Sequence, residues 1–362
     1  MSDLYIQLAR HLQDMVMGYP FNDALVDMLK SMFTPREAEV ALAIPNDLLP
    51  LQAVGAETIA ARSGLDPSAV DAALASMADK NVIFSKTLAS GRMAFALLQT
   101  GFGMPQSFFW GGKTDDRARK MAGHVRNYFS IDVTRDAYAS VPTKSYKYIP
   151  ADAALDIPVQ SVVPHDCMET IIAATEKIAV AHCPCRISAQ ILGRTDCSHS
   201  LEVCLKYDEL ADFIISKGLG KEISRDHARQ ILADCEKEGL VHMVDNAASG
   251  IKHTCNCCGH YCWNVGIIKR RKIPRDVLMA VHYIRENRSS DCIGCGECVT
   301  ICPVSAVDIK DDIAVVDQDW CIGCGVCAVV CPTASIRLTK RDKMHSPENF
   351  TRLYTRIQSE RG

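Results

Sequence analysis

Apolar residues recur at helical spacing from the start of the chain. Leu4, Leu8, Leu12, Met15 and Met17, then Ala24, Leu25, Met28 and Leu29, predict a helix pair within residues 4–30, broken at Gly18-Tyr19-Pro20. Further helices are predicted over Glu37–Ile44, over Glu57–Arg62, and from Pro67 to about Lys80. Asp66 serves the last of these as N-cap, with Pro67 at its first position. Val82–Thr87 and Met93–Leu98 read as two strands around Ala89-Ser90-Gly91-Arg92, and Ala118–Phe129 as an amphipathic helix. The pattern then turns mixed. Pro158–Val163 and Ile178–Ala181 read as strands; Cys167–Lys177, Leu205–Lys217 and Arg225–Lys237 read as helices. The expected fold class is α+β and modular.

Composition changes the picture at one point. The 362 residues carry a net charge of −3, with 48% hydrophobic and 23% charged residues, an ordinary globular mix. No run of 18 apolar residues occurs, so no transmembrane helix is expected, and Asp3, Arg10 and Asp14 leave no room for a secretory h-region. The anomaly is 18 cysteines, all between Cys167 and Cys331. Disulfide scaffolds belong to small secreted domains, so metal-bound thiolate in a reducing cytoplasm is the expectation.

The spacings select the metal. Cys292-x2-Cys295-x2-Cys298-x3-Cys302-Pro303 recurs 29 residues later as Cys321-x2-Cys324-x2-Cys327-x3-Cys331-Pro332. Three thiolates on a tight loop can hold three irons of a cubane, and Gly294, Gly296, Gly323 and Gly325 let the loop wrap closely. Ala306–Lys310 and Ile313–Asp317 read as a hairpin between the runs. Zinc ribbons pair two Cys-x2-Cys knuckles and do not repeat four-cysteine runs ending in proline. Residues 286–340 resemble the bacterial-type dicluster ferredoxin domain. That resemblance implies two [4Fe–4S] clusters, one on Cys292, Cys295, Cys298 and Cys331, the other on Cys321, Cys324, Cys327 and Cys302.

Two more groups stand upstream: Cys183-Pro-Cys185-Arg186 with Cys197 and Cys204, and Cys255-Asn-Cys257-Cys258-Gly259 with Cys262. These eight thiols are enough for two further cubanes, up to four in total. Zinc at one of the two groups is the alternative. Adjacent Cys257 and Cys258 point in different directions and do not easily serve one iron. Cys167 and Cys235 fall inside patterned helices and read as buried small hydrophobes. His182, His199, His242, His253 and His260 read as core or surface residues, with a ligand role as the alternative. Arg186 reads either as a hydrogen-bond donor to cluster sulfur or as a surface ion pair. The chain as a whole is similar to multi-cluster ferredoxin-like proteins of anaerobes, in which Cys-Pro-Cys-Arg and Cys-x-Cys-Cys-Gly segments precede a dicluster ferredoxin.

Residues 1–100 are expected as a helical domain resembling a winged helix over 36–98, and 101–157 as a helical connecting region. A cysteine-rich α/β middle domain spans 158–285, the ferredoxin domain 286–340, and a charged tail 341–362. The candidate recognition helix carries Asp71 and Asp79 against Lys80, so no nucleic-acid partner is expected. Lys269-Arg270-Arg271-Lys272 could steer an acidic redox partner. No G-x-G-x-x-G or P-loop pattern occurs, so a flavin or nucleotide would sit in a partner. The expected function is electron transfer through several [4Fe–4S] clusters, as carrier or electron-transfer subunit beside a flavin- or metal-containing oxidoreductase subunit. The alternatives are a reductase with a catalytic middle cluster and an iron–sulfur redox sensor acting through the winged-helix region.

Overall fold

A computed structural model describes residues 3–155, 167–270, 272–287, 289–342 and 344–361. The strand expected at Pro158–Val163 lies outside them. At the start, helices Leu4–Gln13 and Asp23–Met32 are capped by the side chains of Asp3 and Asn22. Helix Pro35–Ala43 opens on a capping box in which Thr34 and Glu37 satisfy each other's backbone N–H groups. Helix Ala56–Ser63 follows, then Pro67–Asp79, where Asp66 accepts from Ser68 and Ala69. Met93–Leu97 lies between Ile83–Thr87 and the two-residue strand Val54–Gly55 in an antiparallel sheet.

The middle of the chain is built on a six-stranded antiparallel sheet. Its order is Tyr146–Ile149, Val241–Asp245, His253–Cys257, Glu202–Tyr207, Ile178–His182 and Lys221–Ile223. Three expectations change here. Leu205–Tyr207 belong to a strand, not to the start of a helix; the helix runs Glu209–Ser216 after a break at Asp208, whose φ is 50°. Buried Val203, Leu205 and Tyr207 alternate with buried Cys204 and Lys206, so both faces are covered, and the strand runs straight into the apolar pattern of the following helix. Second, an edge strand of this sheet, Tyr146–Ile149, comes from the segment read as a helical connector. Third, the segment read as a charged tail carries helix Phe350–Arg361, which buries Phe350, Leu353, Tyr354 and Ile357. Arg and Gln side chains on its outer positions masked that stripe. Phe102 meets both Phe350 and Tyr354 edge-on, at 5.6 and 5.4 Å between ring centroids.

The ferredoxin-like region closes on itself through strands Tyr283–Asn287 and Ile336–Lys340 and the hairpin Val307–Lys310/Ile313–Val316. Gly294 and Gly323 both take positive φ, 66° and 62°. A Cβ at Gly323 would stand 2.1 Å from the Tyr283 carbonyl oxygen, and one at Gly294 would stand 2.6 Å from that of Asp312. Only glycine lets each cysteine loop lie this close to the backbone beneath it, strand residue Tyr283 in one case and hairpin-turn residue Asp312 in the other.

Candidate metal centres

The strand alternation of the six-stranded sheet decides which groups meet. Cys255 and Cys257 lie two apart on strand His253–Cys257 and therefore share a face with His253. Across the ladder, Met243 pairs with Cys255, Tyr148 with Met243, and Lys206 with His253. Cys204 lies two residues from Lys206 and joins the same face. From the end of strand Ile178–His182 the chain turns into helix Pro184–Ile191, with Cys183 as its N-cap residue and Pro184 first in the helix. Cys185 thus lies in the first turn of that helix, between Cys183 and Cys262.

Six thiols consequently form one continuous array. Cys183 meets Cys185, Cys185 meets Cys262, Cys262 meets Cys257, Cys257 meets Cys255, and Cys255 meets Cys204. They line a cavity of about 70 Å³ with Tyr138, Tyr146, Lys206 and His253. Proton sharing alternates along the array. Neighbouring thiols pull Cys183, Cys255 and Cys262 below the ordinary thiol range, Cys183 to about 7, and push Cys185, Cys204 and Cys257 above it. Six thiols so close cannot all ionise in an apolar cavity without a compensating cation. The donor chemistry fits iron.

Arg186 is buried at 1% exposure. Its Nη2 donates to the Asn256 carbonyl oxygen at 3.1 Å, while Nε and Nη1 have no hydrogen-bond partner. Burial works against its charge, and Cys183, Cys258, Cys257 and Cys197 more than restore it. The surface ion pair considered for this residue is therefore excluded. Beside the array, burial favours the neutral form of His253. Asp245, 3.4 Å from its Nδ1, and the Cys255 thiol outweigh that and carry it up to about 9.

Cys197 and Cys258 form a second pair beside the six, and Cys258 also lines the array's cavity. Their sulfurs lie 4.0 Å from each other, and His260 is beside them. Cys257 thus meets the array thiols Cys255 and Cys262, while Cys258 pairs with Cys197. Cys167 and Cys235 are buried, at 2% and 1% exposure.

The C-terminal cysteines regroup across the repeats. Cys292, Cys295 and Cys298 line one small cavity together with Cys331. Cys331 is held down to about 7: burial opposes its ionisation, but the hydroxyls of Ser335, at 3.4 Å, and Thr333, at 3.7 Å, outweigh it. Cys302, in turn, adds to the upward push of burial on Cys321, Cys324 and Cys327. The Ala306 amide donates to Cys302 Sγ at 3.2 Å, and the Ala314 amide to Cys292 Sγ at 3.4 Å. Arg285 lies between the quartets, with Nη2 3.6 Å from Cys298 Sγ and the Cys327 and Cys321 sulfurs acting on its charge.

The quartets and the array are neighbours. A Cβ on Gly259 would stand 2.0 Å from the carbonyl oxygen of Pro303, the residue after Cys302. Tyr148 is fully buried and feels both Cys262 and Cys257 of the array and Cys324 of the ferredoxin-like loop. Sequence reasoning does not reach Tyr148, Lys206 or Asp245, because their strands carry no motif. The regular two-residue step through Tyr146 and Tyr148 is the one signal that could have found the first.

Residues 283–338 match the family model of a 4Fe-4S dicluster domain. No curated protein and no solved structure matches the chain. The chain therefore contains a ferredoxin-type iron–sulfur domain, and that domain supports an electron-transfer role. Among the described residues no helix is long and apolar enough to cross a membrane.

Proposed function

We propose that this protein is a multi-centre electron carrier of the cytoplasm, or the electron-transfer subunit of an oxidoreductase. Cys292, Cys295, Cys298 and Cys331 would hold one [4Fe–4S] cluster, Cys302, Cys321, Cys324 and Cys327 the second, and the six-thiol array a further iron–sulfur centre. Such clusters supply reversible one-electron storage at a potential set by surrounding charge and hydrogen bonds. The chain's own groups do the tuning: Ser335, Thr333 and the amides of Ala306 and Ala314 donate toward sulfur, and Arg285 and Arg186 bring positive charge. The observation that carries the reading is the contiguity of the middle sheet and the dicluster domain, at the Gly259–Pro303 contact and where the Ala151 amide, just after strand Tyr146–Ile149, donates to the Cys324 carbonyl oxygen at 2.9 Å. Isolated storage sites would need no such contact. The elements over residues 35–97 fit a winged helix, here serving protein contact.

Iron and sulfide analysis with EPR of the anaerobic, full-length protein tests this. More iron than the roughly eight atoms of two cubanes is expected, with a third reducible signal. Eight irons and two signals would reduce the middle domain to a scaffold.

One observation favours the reductase reading as second. A groove of about 490 Å³ opens beside Cys185 and Cys262 and is lined by the stacked pair Phe129 and Trp263, whose ring centroids are 5.0 Å apart. Arg126, Arg194 and Arg270 line it and no carboxylate does. This is a plausible size and charge for a small organic anion. Turnover of such an anion with a viologen donor would promote this reading over simple carriage.

A further inference from the structure

Among the described residues, one place brings three metal-ligating atoms to a point: Cys197, Cys258 and His260, whose donor atoms all lie within 4.8 Å of one another. The six-thiol array, strung out as a chain, has no such convergence, and a polynuclear centre needs none. A tetrahedral zinc with bonds of about 2.3 Å to sulfur sets its two sulfurs about 3.8 Å apart. The Cys197 and Cys258 sulfurs are at 4.0 Å.

The sequence repeats the motif. Cys197-Ser-His199 faces Cys258-Gly-His260, so each strand of chain brings one thiol and, two residues on, one imidazole. The His199 and His260 rings are 5.8 Å apart, centroid to centroid. His199 Nδ1 lies 3.4 Å from Glu238 Oε2. That carboxylate holds the proton on Nδ1 and leaves Nε2 free to ligate, the arrangement that orients metal-bound histidines. Nδ1 of His260 is buried without a hydrogen-bond partner. The Tyr261 amide donates to Cys258 Sγ at 3.4 Å, as amides do toward ligating thiolates.

We infer that Cys197, Cys258, His260 and His199 hold a single zinc ion, separate from the iron-binding thiols. Two sulfurs and two imidazoles in a closed tetrahedron suit zinc and leave no position for substrate. The ion would add a bond to a segment already held by Ser200 and His199 on Glu238 and by Asp196 on Tyr261. Residues 194–201 contain no helix or strand, yet Cys197 within them is buried. Zinc would staple this segment to the turn after strand His253–Cys257. It would also keep Cys258, which lines the array's cavity, out of the iron's ligand set.

The inference does not depend on iron in the array, and its test separates the two. Full-length protein purified anaerobically should contain about one zinc per chain besides its iron, with an X-ray absorption shell of two sulfurs at about 2.3 Å and two nitrogens. Cys258→Ser and His260→Gln should each lower zinc to background while iron and EPR signals persist. His199→Gln, further from the buried sulfurs, guards against a folding failure and should weaken zinc retention against a chelator at least tenfold. Iron-replete protein that neither contains zinc nor takes it up on dialysis would overturn the inference. So would a sulfur-only zinc shell, or variants that lose iron and keep zinc.

Discussion

Glu37 is a carboxylate that a fold must justify. It is 3% exposed, and burial alone would push its pKa up. Lys80 Nζ at 2.6 Å, the Thr34 amide and the Ser76 hydroxyl outweigh burial and leave it below its ordinary value. A depressed carboxylate stabilises above its unfolded pKa, and that contribution is lost as pH falls through the folded one. Glu37→Gln should therefore cost about 1–3 kcal/mol at pH 7. The gap should narrow as pH falls below 4.5, the ordinary value for Glu. Amide exchange in helices Pro35–Ala43 and Pro67–Asp79 reads both effects; a gap that widened in acid would contradict the assignment. Arg186 offers the matching experiment at the metal. Replacing its unpartnered charge by Gln should make the middle centre harder to reduce, by about 60 mV or more, a tenfold shift in a one-electron equilibrium. An unchanged midpoint in an EPR-monitored titration, at full iron content, would show that the guanidinium does not face the centre.

At the scale of elements, the two cysteine repeats exchange their last members. Cys298→Ala and Cys302→Ala lie four residues apart, yet each should abolish a different [4Fe–4S] signal. Loss of the same signal in both would refute the exchange. The dicluster domain itself was readable from the sequence, because the spacing within each cysteine run is local. So were the helices that begin on Asp66 and Ser224, where capping and apolar periodicity coincide. The six-stranded sheet was not. Strand His253–Cys257 has thiols and an imidazole where a strand normally shows aliphatic side chains, so its alternation carries no hydrophobic signal. Glu202–Tyr207 does alternate, Glu202, Cys204 and Lys206 against Val203, Leu205 and Tyr207, but its last residues run straight into the apolar pattern of the next helix. Which of the eight middle thiols meet is a property of that sheet's register, and no spacing rule contains it. That Cys257 and Cys258 take different partners was accessible, since adjacent side chains leave the backbone in different directions.

For the whole molecule, charge placement bears on what it can touch. Residues 54–98 have four cations, each already engaged: Arg62 with the Ala43 carbonyl, Lys80 with Glu37, Lys86 with Glu209 and the Leu51 carbonyl, and Arg92 with Glu57. Phosphate binding would have to break these pairs. Anisotropy with genomic DNA fragments at low salt should show no saturable binding; a selective complex weakened by Lys86→Gln would reverse that view. The opposite end of the molecule has a different exposure. Cys295 is exposed and Ile293 beside it is 64% exposed, whereas Cys204, Cys257 and Cys262 are buried. Decay in air should follow that gradient. The loop with Cys295 meets dioxygen first, so its signal should fade while the innermost thiols are still intact. A preparation aged by minutes would then keep its deepest centre and lose its outlet, and inactive samples would still be brown.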